Sequence, residues 1–370
     1  TQPWPQREES YDRKVGGAGI NLNGRQPLGG IEMNWVAGIE RYSDATDSRL
    51  RQNLIDRQDT AATAAGTLRN RRMRVITTSY FAQGEWAISP LLRPGIGVRH
   101  DRFTGNCRVL GAENNAGRCD ELNAMSHTSP KLGLRSTVAP GVDLRASWAE
   151  GFQLPNDTLK YSVAGAEVEP TVFRQFEIGA NTKLGANAIL DAALFRIKSS
   201  GEIATDAATG IARNVGSTLR QGLEIDLRYA PAAQWELSAI GSWFRREVLH
   251  AANADSIGKK VPSTPGHMLT LGATWRPSEA WSFNTSVRKI GAYAIDATNT
   301  RSYKGYTVAK LGVQYQTTGA SSRPMRYYAS IDNLFDRRYG TSVGFNSAAN
   351  LWTYQPGAPR SLTVGAQFDF

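Results

Sequence analysis

Few residues of this 370-residue chain stand where they could do covalent or metal chemistry. Its only histidines are His100, His127, His250 and His267, and none is at metal-ligand spacing from another, so no metal site is expected. There is no G-x-S-x-G, no phosphate-cradling glycine loop and no H-E-x-x-H. No catalytic residue can therefore be named, and a hydrolase would need the fold to bring a serine and a histidine together. The two cysteines, Cys107 and Cys119, lie close together in a polar, Gly- and Asn-rich stretch. Such a pair is better explained by a local disulfide in an oxidising compartment than by a metal. Asn284-Thr285-Ser286 has the pattern of a glycosylation acceptor but falls in the middle of a strand. What remains are arginines, carboxylates and aromatics, the chemistry of binding. The net charge of +10 suits an anionic ligand or an anionic membrane surface. The 43 Lys and Arg are spread without a long basic run, which argues against nucleic acid.

The elements that must carry these residues are strands. In the last stretch Leu362, Val364, Ala366, Phe368 and Phe370 share one face, and Ser361, Thr363, Gly365, Gln367 and Asp369 share the other. Further strands are predicted at 12–22, 30–42, 74–88, 91–103, 131–138, 142–150, 174–183, 188–198, 219–229, 235–248, 265–275, 281–291, 305–315 and 325–333. Most alternate: Leu223, Ile225, Leu227 and Tyr229 oppose Glu224, Asp226 and Arg228. Short links rich in turn residues (23–29, 89–90, 139–141, 184–187, 231–234, 276–279) alternate with long polar ones. Among the long ones are a loop of about thirty residues after 42 and a loop carrying both cysteines.

Hydrophobic residues make up 41% of the chain, and no apolar run reaches the length of about 18 residues that a membrane helix needs. Alternating segments of about ten residues, with short turns on one side and long loops on the other, are the signature of a membrane β-barrel. Trp86, Trp235, Trp275 and Trp281 sit beside the short turns, where an interfacial girdle would place them. A soluble sandwich would have to bury the other face, which carries Lys131, Arg135, Glu177, Lys183, Arg288, Lys310, Arg326 and Asp332. Desolvating so many charges is costly, and a wet lumen removes that cost. The expected fold is thus all-β: a transmembrane antiparallel up-and-down β-barrel, one domain over 1–370, with about fifteen strands present. The first and last strands run the same way. Because single-chain bacterial barrels have even strand number, an N-terminal part is expected to precede this chain.

Ser330-Ile331-Asp332-Asn333-Leu334-Phe335-Asp336, then Tyr339, then Tyr354-Gln355-Pro356-Gly357-Ala358-Pro359-Arg360 and a terminal strand ending in Phe370 resemble the end of a TonB-dependent outer-membrane receptor. Tyr80 to Trp86 followed by Gly97-Val98-Arg99-His100-Asp101 is similar to that family's mid-barrel hairpin. Gly151-Phe152-Gln153-Leu154-Pro155 with Glu169-Pro170 and Phe176 to Gly179, and Gln221 to Ile225, resemble two further blocks in family order. The resemblance runs from about residue 75 to the end.

The resemblance implies the size class of 22-stranded transporters with a plugged lumen. About seven strands and the plug domain are not in this chain. It further implies a Gram-negative outer membrane, a ferric siderophore as ligand, and TonB as partner through the plug. Outer-membrane lipid, lipopolysaccharide and the barrel-assembly machinery are the other expected partners, with Phe370 as the barrel-insertion signal. No cofactor is expected; ferric iron enters only inside a transported chelate. Ligand contacts in such receptors come from extracellular loops and the upper lumen wall. Arg99, Asp101, Tyr161, Arg246, Arg337, Trp352 and Tyr354 are the candidates here, because arginine and aromatic surfaces suit an anionic chelate. Asn333, Asp336 and Arg360 are expected to fix turns. Haem receptors typically place an iron-contacting histidine soon after the block at 151–155, and no histidine lies between Phe152 and Glu177. The competing expectations are a passive channel or adhesin-type barrel, and a receptor for cobalamin, haem or carbohydrate.

Overall fold

A computed structural model describes residues 6–53, 67–111, 119, 121–155, 168–205, 212–317, 325–346 and 351–368. The strands are β1 (Gln6–Leu28), β2 (Ile31–Asn53), β3 (Thr67–Ala87), β4 (Arg93–Val109), β5 (Glu121–Ala139), β6 (Val142–Gln153), β7 (Thr171–Leu184), β8 (Ala188–Thr205), β9 (Ala212–Tyr229) and β10 (Trp235–His250). They continue with β11 (His267–Trp275), β12 (Trp281–Ile290), β13 (Tyr293–Ala294), β14 (Ser302–Tyr303), β15 (Tyr306–Gln316), β16 (Met325–Asp332), β17 (Gly340–Asn346), β18 (Leu351–Pro356) and β19 (Ser361–Phe368). Fifteen of them form one antiparallel sheet in sequence order, with β1 and β19 as its edges. β13–β14 and β17–β18 are separate hairpins within the long links.

The cross-strand register assigns each predicted face a side of the sheet. Glu177 pairs with Ser147 and Phe195, and Asp191 pairs with Asn181 and Asp226, so polar positions line up from strand to strand. The opposite face carries Ile39, Ile96, Leu132, Phe176, Ile178, Leu194, Leu271, Val287, Leu311 and Val364, all exposed. Large apolar side chains bared in a continuous band, above a row of aromatic rings, fit a wall that faces lipid. The row is Trp235–Trp275–Phe283–Trp281–Tyr315–Tyr327, with neighbouring ring centroids 4.8–6.5 Å apart. It follows the short turns, as the positions of Trp235, Trp275 and Trp281 predict.

Three local expectations need correction. The thirty-residue loop after residue 42 is largely strand, since β2 runs to Asn53 and β3 starts at Thr67. These extensions stand above the apolar band and are polar on both faces, so they carry no alternation signal. Cross-strand pairs hold them instead, Arg13 with Asp44 at 2.5 Å and Arg72 with Asp47 at 2.6 Å. The turn expected at 23–29 lies at Gly29-Gly30, whose φ angles of 63° and 84° favour glycine, and 23–28 continue β1. Cys107 lies on β4 rather than in a loop, and its disulfide to Cys119 ties the following link back to the strand.

Candidate functional site

The inner wall is a lattice of charges, and most of them are already matched. Arg99 donates through Nε to Asp101 at 3.0 Å and through its terminal nitrogens to Glu40 at 3.2 Å. Asp101 is buried and also accepts from the Ser79 hydroxyl at 2.5 Å. Arg145 spans two strands, meeting Asp191 at 2.8 Å and Glu177 at 3.2 Å, and Lys310 meets Asp332 at 3.0 Å. These pairs brace neighbouring strands across a wet wall. Asp101→Asn is expected to lower stability by about 1–2 kcal/mol, because Arg99 keeps Glu40 and its side chain is 41% exposed. A urea midpoint in lipid vesicles that matches the parent protein would refute that role.

Arg220 and Arg246 are not matched in this way. They face each other directly across β9 and β10, on the same side as Asp226 and Glu224. Both are half-buried, and among the described residues neither has a carboxylate within ion-pair distance. Arg246 Nη1 donates to the Thr264 hydroxyl at 2.6 Å, and its guanidinium lies 4.3 Å over the Phe244 ring. The Nε atoms of both arginines are buried without a partner. Two like charges on adjacent strands, with donors unspent, are groups whose chemistry suits an anion. Lower on the same wall is a recess of about 650 Å³ lined by Glu177, Asp191, Glu224 and Asp226 against Arg145 and Arg288. That acidic surface repels an anion, so the wall is polarised, positive towards its upper end.

Three long links cap this end. Tyr293, Ile295 and Val343 form a buried cluster with Tyr303 and Phe345, packing the β13–β14 hairpin on β17–β18. The Val343 and Gly340 N–H groups donate to the hydroxyls of Tyr293 and Tyr303. Asn299 exchanges two hydrogen bonds with the backbone of Lys260, joining the third link. Asp296 organises the hairpin tip. Partial burial works against its ionised form, but hydrogen bonds from the Thr300 and Thr298 hydroxyls and the N–H groups of Arg301 and Thr300 outweigh this, lowering its pKa to about 2. A carboxylate depressed in this way adds order above its ordinary value of about 3.9 and loses it as pH falls towards 2. Asp296→Ala is accordingly expected to speed amide exchange at Thr300 and Arg301 about tenfold at pH 7. Unchanged exchange at both amides would remove the assigned role.

Of the sequence candidates, Arg99, Asp101 and Arg246 lie on the inner wall. Trp352 and Tyr354 are exposed on β18, and Arg337 is exposed at the entry to that link. Tyr161 and Phe370 lie outside the described residues. Asn333 and Asp336 both hold positive φ, and they tie the link down: Asn333 bonds Arg337 and Ala358, and Asp336 accepts from the Arg360 N–H. Sequence reasoning missed Arg220, a polar residue in an ordinary alternation; only its register opposite Arg246 singles it out. Among the described residues no cluster of His, Cys, Asp and Glu is suited to a metal ion.

With this geometry in view, comparisons place the chain. No match is found among curated proteins. In fold it is similar to the ferric citrate transporter FecA in its unliganded form, at TM-score 0.81 and 19% identity over 98% of this chain and 55% of that one. It is also similar to the siderophore receptor PiuA from Acinetobacter baumannii, at TM-score 0.80 and 18% identity over 97% and 56%. The ferric preacinetobactin receptor BauA from Acinetobacter baumannii gives 0.76 and 18% over 98% and 55%. The chain therefore spans about half the length of these structures, and identity this low speaks for the fold alone. The family model described as TonB dependent receptor-like, beta-barrel, matches residues 3–334, and the chain belongs to the TonB-dependent receptor family as part of its β-barrel.

Proposed function

We propose that this wall serves an outer-membrane receptor that takes up an anionic ferric chelate of the siderophore class at its extracellular end, using energy relayed by TonB. The observation that carries the reading is the unneutralised Arg220–Arg246 pair high on the inner wall, beneath loops that present Trp352, Tyr354 and Arg337. An anionic chelate arriving from the loops meets charge attraction and aromatic surface first, then two guanidinium groups with free donors. The braced lattice around Arg99 and Arg145 supports the reading as a rigid frame for that pair. Names of fold neighbours, a ferric citrate transporter and a ferric preacinetobactin receptor, are in keeping with cargo of this class.

The test is uptake of a panel of radiolabelled ferric chelates by cells carrying the complete receptor, with and without functional TonB. Uptake of an anionic chelate that disappears without TonB supports the proposal. Uptake that ignores TonB favours a passive barrel, and uptake confined to cobalamin, haem or carbohydrate replaces the ligand class.

A further inference from the structure

Between β5 and β6 the backbone ladder stops short of both strand ends. Its cross-strand pairs run from Ala139 and Val142 up to Lys131 and Ala149, whereas β5 begins at Glu121 and β6 continues to Gln153. The residue of β5 next above Lys131 is Pro130, which has no N–H to give a ladder, and a proline in a sheet belongs at an edge. From there upwards β5 pairs with β4 and β6 with β7, so the wall divides. A Cβ added at Gly151 would meet nothing within 4 Å. A recess of about 470 Å³ opens beside it, lined by residues 124–127 on one side and 168–170 on the other.

Side chains close the division where the backbone does not. Phe103 and Phe152 meet edge to face with ring centroids 5.5 Å apart, and the His127 ring lies 4.8 Å from Phe152. His127 Nε2 stands 3.1 Å from a Glu150 carboxylate oxygen, and the two side chains are only 15% and 13% exposed. The distance is that of an ion pair, yet Nε2 has no hydrogen-bond partner among the described residues, so a neutral ring gives Glu150 little. The other Glu150 oxygen accepts from Arg174 Nε at 2.7 Å. Of the other charges around the ring, Asp101 pairs with His127 across β4 and β5 but is held by Arg99 and Ser79. Glu169, from the link before β7, lines the same recess.

We propose that His127 is a latch across this division, closed when its imidazole is protonated and open when it is neutral. Histidine is the side chain that changes charge between pH 5 and 8. On the acidic side of that range the imidazolium attracts Glu150 in a setting largely shielded from water, where the attraction is stronger than at the surface. As pH rises through the range the charge is lost. Only the aromatic contacts with Phe152 then hold β5 to β6, and the rim parts at the recess. Glu150 keeps Arg174 in both states, so release of the latch strands no carboxylate. The device makes the long-link end of the wall sensitive to the acidity of the medium, and it is independent of Arg220, Arg246 and the chelate.

The experiment is amide hydrogen exchange on the complete receptor in detergent, read by mass spectrometry as protection factors, which discount the intrinsic effect of pH on exchange. Protection over residues 124–130 and 150–153 is expected to fall about fivefold between about pH 5.5 and about pH 7.5, while protection over β15 and β16 stays constant. His127→Gln and Glu150→Gln are each expected to abolish that dependence, leaving both segments at the parent's less protected level. Protection over β15 and β16 reports that a variant is folded, and either variant suffices for the test. A merely structural role for His127 would shift protection by the same factor at both pH values. A parent protein whose protection in these segments ignores pH, or a pH response that survives in a folded variant, overturns the proposal.

Discussion

Replacing Arg220 and Arg246 together by glutamine is expected to weaken binding of an anionic ferric chelate about hundredfold while leaving the barrel folded. A hydrogen bond to a charged group contributes about 1.5–3 kcal/mol, and the half-exposed setting of these arginines argues for the lower end. Two such losses of about 1.4 kcal/mol make about two decades. The fold should tolerate the change, because each guanidinium is next to a like charge and lacks a carboxylate partner among the described residues. Removing one of the two relieves repulsion between them. Glutamine also keeps a donor for the Thr264 hydroxyl, so a single Arg246→Gln tests charge apart from shape. The measurement is equilibrium binding to the complete receptor, with Arg145→Gln as a comparison. Arg145 is bound by Asp191 and Glu177, so its loss should cost stability more than affinity. If the double variant binds the chelate like the parent, the site lies elsewhere on the cap.

Val287→Arg is expected to destabilise the protein by about 2–4 kcal/mol, and Asn284→Arg, three residues away, by less than about 1. Val287 is the seventh residue of β12 from Trp281, near mid-height, and it bares its side chain on the apolar side. An arginine there must leave water for hydrocarbon or drag its headgroup to an interface. Asn284 faces the other side, paired with Thr274 and Gly312 on a wall already rich in charge, and an arginine there stays hydrated. Urea titration of the receptor in lipid vesicles reads both values. Equal costs at the two positions would mean that both faces meet the same medium, which would sink the membrane assignment of this sheet.

Along a strand, sequence neighbours alone decide which face is which, so Leu223, Ile225 and Leu227 against Glu224, Asp226 and Arg228 were legible without any tertiary information. So were the short turns, whose chemistry is local, the tryptophans beside them, and the family blocks around Asn333 and Pro356. Strand length above the membrane was not legible. From residue 43 to 51 polar residues fall on both faces, and Asp44 and Asp47 announce nothing until Arg13 and Arg72 come across from other strands. The same holds for function. Arg246 is one arginine among many in the sequence, and Arg99 and Asp101 look equally available. Only the register reveals that Arg99 is matched by Asp101 and Glu40 while Arg246 faces Arg220 with no carboxylate among the described residues to neutralise either. The sequence by itself determined the fold class, the alternation of faces and the family. Tertiary structure decided which charges are spent on bracing the wall and which remain for a ligand. The reason is physical: a face is set by the next residue but one, whereas a charge is satisfied by whatever a ladder of hydrogen bonds brings opposite it from tens of residues away.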